Sequence, residues 1–102
     1  MIDTSIIRRF MMTLDETNQK HRAAISRALQ FMWARQTSGE QASRTTKHKN
    51  SVGFNAADAR YAGMMVEVYR CHGDFTEQQT LRLRDMLTKY IQQLAEMPPK
   101  NA

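Results

Sequence analysis

Residues 76–94 read TEQQTLRLRDMLTKYIQQL. Leu83, Met86, Leu87, Tyr90, Ile91 and Leu94 recur at steps of three and one, so they fall on one side of an α-helix. Thr76 and Gln79 stand at the spacing of a capping box, in which each side chain satisfies the other residue's free backbone N–H. Pro98-Pro99 stops the run, and the last residues, 98–102, are expected to fray. A second helix is expected just upstream, over about residues 56–70. Asn55 caps it, Asp58 complements its dipole, and Gly73-Asp74 end it. Its inner face is read as Ala57, Tyr61, Met64, Met65 and Val68. Gly53 is the pivot of the turn that leads into it.

Working outward, residues 38–50 (SGEQASRTTKHKN) carry no large apolar side chain and turn basic at Arg44, Lys47 and Lys49. Such a stretch buries too little surface to offset its ordering entropy, and it reads as a basic flexible linker. Before it, Ile7, Phe10, Met11, Leu14, Ala24, Ile25, Ala28, Leu29, Met32 and Trp33 again follow helical spacing. An unbroken helix over that span would be roughly 50 Å long, more than a domain of this size accommodates. It therefore breaks, or it pairs with a second chain. The polar run from Thr13 to Asn18 is the place for a break, with Thr13 and Glu16 at capping-box spacing.

The expected architecture is all-α: a long or broken N-terminal helix over 1–37, a basic linker over 38–50, and a two-helix hairpin over 51–97. One domain of 102 residues, 41% hydrophobic and 25% charged, fits a globular chain better than a disordered one. No basic leader or long apolar run suggests secretion or a membrane span, and Cys71 has no second cysteine to pair with. A cytoplasmic protein is expected.

Enzymatic chemistry finds no support in the residues. Cys71-His72 are neighbours in sequence, so on a helix they point about 100° apart and form no nucleophile–base pair. A half-buried structural thiol is the expectation there. The histidines at 21, 48 and 72 show no zinc spacing, and the four glycines form no phosphate-binding loop. No catalytic residue, cofactor or metal is expected.

The formal charge is +5, a sign that suits polyanionic partners. Cations fall near the N-terminus (Arg8, Arg9), along the next segment (Lys20, Arg22, Arg27, Arg35), around the central turn (Arg44, Lys47, Lys49, Arg60) and on the last helix (Arg82, Arg84, Lys89). Only Glu40 and Asp58 oppose the central group, so Arg44, Lys47, Lys49 and Arg60, joined by Arg82 and Lys89, are the expected phosphate contacts. Phe31 and Trp33 cannot share one narrow helix face, so Phe31, Met32 and Trp33 form the expected surface for a protein partner.

Residues 52–94 also carry an ordered set of short motifs: Gly53-Phe54-Asn55 with Asp58-Ala59, then Thr76 and Gln79, then Lys89-Tyr90 with Gln93-Leu94. The set resembles a small helical module found beside helicase domains and in phage and mobile-element DNA-metabolism proteins. Phe75 stands where the module usually has Leu, and Glu77 where Pro is common. The resemblance implies a two-helix unit entered through the Gly53 turn, and a phage or prophage accessory role in replication or recombination, without a helicase motor. The expected partner is nucleic acid, DNA rather than RNA. The alternative is a phage-encoded adaptor or inhibitor that docks on a host protein, and a third reading is a homodimer joined through its first helices.

Overall fold

The computed structural model describes residues 3–36 and 53–97. These residues are helical, with no strand among them. The linker expected over 38–50 and the tail from 98 lie outside the described residues.

The N-terminal segment is broken. Helix α1 spans Thr4–Met12 and helix α2 spans Gln19–Ala34. Asp3 caps α1 by accepting from the Ser5 N–H at 2.8 Å. The break falls in the expected polar run, but its mechanism differs from the Thr13–Glu16 capping box. The Thr13 hydroxyl donates back to the Arg9 carbonyl at 2.8 Å, which closes α1 instead of opening α2. Asp15 then accepts from both the N–H and the hydroxyl of Thr17, and the Asp15 N–H donates to His21 Nδ1 at 2.9 Å. Asn18, in extended backbone, caps α2 by accepting from the Lys20 N–H.

Helix α3 spans Ala56–His72, helix α4 spans Glu77–Thr88, and the single turn α5 spans Ile91–Leu94. The local signals read from the sequence operate here. Asn55 accepts from the Asp58 N–H, Gly73 ends α3 at φ +73°, and the Thr76–Gln79 capping box is complete in both directions. The last helix, however, does not run straight through. It stops at Thr88, and the chain bends at Tyr90 (φ −116°, ψ 24°) before α5.

One core joins the two described parts of the chain. Ile25, Leu29 and Met32 on α2 are fully buried, as are Leu83 and Leu87 on α4. Helix α2 packs on α3, α4 and α5, and α1 leans on α4 and α5. Helices α3 and α4 are joined by a tight turn, yet α2 is the helix on which α3 chiefly packs. The inward face of α3 corrects the sequence reading. Ala59, Ala62, Gly63, Met65 and Val66 are buried, whereas Ala57 and Met64 are exposed and Tyr61 and Val68 are half-buried. The stripe at 59, 62, 63 and 66 is made mostly of small residues, which suits a close approach of α3 to α2, the helix on which it chiefly packs.

Candidate functional site

Gly53, Phe54, Asn55 and Asp58 meet Tyr90 and Gln93 in one place, and they meet as structure, while Thr76 and Gln79 bond to each other as the cap of α4. Gly53 holds φ +82°, and a Cβ there would lie 2.0 Å from Gln36 Oε1. Glycine is therefore required twice over, by the backbone and by the approach of Gln36. Gln36 uses that approach to accept from the Phe54 N–H at 2.7 Å. From the other side Gln93 closes a reciprocal pair: its Oε1 accepts from the Gly53 N–H at 2.9 Å and its Nε2 donates to the Gly53 carbonyl at 3.1 Å. The Tyr90 hydroxyl accepts from the Asn55 N–H and donates to Asp58 Oδ2. Burial, then the bond to Asp58, push the Tyr90 phenol above its ordinary range, so it stays a neutral donor. The Phe54 ring meets the Tyr90 ring edge to face at 5.2 Å, and Phe54 is buried in the core cluster that also holds Ala59 and Leu94. This clasp explains the bend at Tyr90, because the turn at 89–90 lets Tyr90 and Gln93 reach back to the start of α3.

Lys89 belongs to the same cluster. Its Nζ lies 2.7 Å from Asp58 Oδ2, so the cation expected to meet a phosphate already has a carboxylate partner. The rest of the expected phosphate set is scattered. Arg44, Lys47 and Lys49 lie outside the described residues. Arg60 is exposed and makes no ion pair with another described residue. Arg82 is exposed with its guanidinium 4.0 Å above the Tyr61 ring. Tyr61 is itself half-buried, and that burial raises its phenol above the usual value.

The cations missed by that reading are on α1 and α2. Helix α1 carries Arg8 and Arg9, and α2 carries Lys20, Arg22 and Arg27; neither helix contains an Asp or Glu. Arg22 is spent on Asp74, with two bonds of 3.0 Å that hold the Asp74 carboxyl below its usual range. Arg8, Arg9, Lys20 and Arg27 are exposed and make no ion pair with another described residue. Residues 53–97 are different. They hold five cations against six carboxylates, and Arg70, Arg84 and Lys89 are paired with Glu67, Asp85 and Asp58. The signal was present in the sequence as a lack of acid over 4–12 and 19–34, and a search for basic clusters passes over it.

The expected protein-partner trio needs one correction. Met32 is fully buried in the core, so it cannot meet a partner while the fold is intact. Its position on α2 matches Leu29 and Ile25, one and two turns earlier, which are also fully buried. Phe31 and Trp33 are half-buried on either side of it, and Phe31 carries the Arg35 guanidinium 5.3 Å above its ring. Cys71 and His72 are both exposed at the end of α3, so the thiol is not the half-buried group expected. Among the described residues no three His, Cys, Asp or Glu side chains come together as metal ligands would, and no helix is long and apolar enough to cross a membrane.

Comparison of the chain with protein-family models, with curated proteins and with solved structures gives no match.

Proposed function

We propose that the chain is a non-catalytic, nucleic-acid-binding accessory protein of DNA metabolism, of the phage or mobile-element kind that its motif resemblance implies, with DNA favoured over RNA. The observation that carries this reading is the pair of acid-free helices. Phosphates gain most from cations that no neighbouring carboxylate already neutralises, and Arg8, Arg9, Lys20 and Arg27 are of that kind. Arg44, Lys47 and Lys49 add positive charge between the two described parts. Arg60 and Arg82 are exposed and join them, while Lys89 contributes least because Asp58 holds it. Contacts of these cations with phosphates carry no sequence information, so the recognition expected is of the backbone and independent of sequence.

Charge reversal tests the reading. Arg8→Glu with Arg9→Glu, and separately Lys47→Glu with Lys49→Glu, should each weaken binding to a labelled oligonucleotide by about tenfold or more at low salt. Arg70→Glu should change it by less than about threefold, since Glu67 already offsets that charge. Equal affinity across all these variants would defeat the proposal.

A further inference from the structure

Helices α1 and α2 do not close on each other along their length. Between them runs a cavity of about 270 Å³, lined by Ile6 and Phe10 on one bank and Ala24, Arg27 and Ala28 on the other, with Leu94 at its floor. The Phe10 ring, in its lining, meets the His21 ring at 5.3 Å. Ile6, in the lining, is a large apolar side chain left 63% exposed. Arg27 lines the groove, and further cations stand on the same two helices. Lys20, Ala24 and Arg27 follow one another at steps of four and three along α2, and Arg9 stands one turn after Ile6 on α1. Asp3 caps Ser5, Asp15 accepts from Thr17, and Glu96 holds Arg35 at 3.0 Å.

We propose that this groove is a docking site for an amphipathic helix of another protein, one with aliphatic side chains on one face and acidic residues flanking them. The shape is that of helix-in-groove recognition, in which side chains at i, i+3, i+4 and i+7 enter an apolar trough. Charge decides the partner. An acidic flank meets Arg9, Lys20 and Arg27, whereas a second copy of this chain docked through the same face would set two acid-free helix pairs against each other. A polyanion without apolar groups would use the cations but gain nothing from Ile6, Phe10 and Leu94. The inference goes beyond nucleic-acid binding and does not depend on it.

The test uses the full chain and a labelled synthetic helix of about 16 residues, with Leu at i, i+3, i+4 and i+7 and Glu on its flanks. Its control carries Lys in place of every Glu. The Glu peptide should bind at least about tenfold more tightly than the Lys peptide, and Ile6→Asn should cost about tenfold without lowering the melting temperature appreciably, because Ile6 is mostly exposed. Methyl NMR should place the shifts at Ile6, Ile7 and Leu94. Ile6→Asn should leave oligonucleotide affinity within about twofold, which separates this surface from phosphate binding. Equal binding of the two peptides, an unchanged affinity in Ile6→Asn, or methyl shifts produced by an oligonucleotide and not by the Glu peptide would each overturn the proposal.

Discussion

At the scale of single residues, Gly53 carries the most constraint. Its positive φ and the Gln36 oxygen that occupies the space of a Cβ act together, and Gly73 provides the internal control. Gly73 has φ +73°, but nothing lies within 4 Å of where its Cβ would be. Gly73→Ala should therefore cost only the backbone term, about 1 kcal/mol. Gly53→Ala should cost more than about 2 kcal/mol, because Gln36 must also move and the Phe54 N–H loses its acceptor. Urea denaturation of the two variants beside the parent measures both. Equal costs would mean that the Gln36 contact contributes little. Sequence motifs located this clasp, since Gly53, Asn55, Asp58, Tyr90 and Gln93 all belong to the ordered set. Gln36 was invisible in it. Its role is a hydrogen bond across 18 residues of chain, and no local pattern announces a partner at that separation.

At the scale of elements, the legible features were those decided by neighbours in sequence. Asn55, Gly73 and the Thr76–Gln79 box each act within one helix turn. Thr76→Ala should remove the cap of α4 and lower stability by about 1 kcal/mol, readable as a shift in the urea midpoint. The inward face of α3 was misread for the opposite reason. Large apolar residues draw the stripe to Tyr61 and Met64, but what lies inside is set by packing on α2, and the buried face there is mostly small. The break at 89–90 was likewise set from a distance, by the reach of Tyr90 to Asn55 and Asp58. The link between α2 and the α3–α4 turn is titratable. The Arg22 guanidinium, assisted by the Phe75 N–H, holds Asp74 below the usual carboxylate range. A depressed carboxylate contributes stability above its unfolded value, near pH 4, and loses it as pH falls through the lower folded value. Asp74→Asn should thus be less stable than the parent at pH 6, with the difference shrinking below about pH 4. A difference that stayed constant down to strong acid would show that the ion pair is not the cause. Asp74 is partly exposed, so the effect is modest.

At the scale of the whole molecule, charge and packing are divided between different parts of the chain. Residues 53–97, with Gln36, supply the clasp, and they hold most of the internal ion pairs. Helices α1 and α2 supply cations that no described carboxylate pairs, apart from Arg22, and a groove between them. The sequence made the positive balance plain but not its distribution, because pairing of Lys89 with Asp58 and of Arg22 with Asp74 depends on contacts made only in the fold. We propose that this unbalanced charge meets a phosphate backbone. The most direct measurement is the salt dependence of binding to a labelled duplex, followed by fluorescence anisotropy between about 50 and 200 mM salt. With about five phosphates neutralised, the log–log slope should be roughly −4 to −5, a loss of about 10²–10³-fold in affinity over that range. A slope no steeper than about −1, or no binding at the lowest salt, would contradict the account.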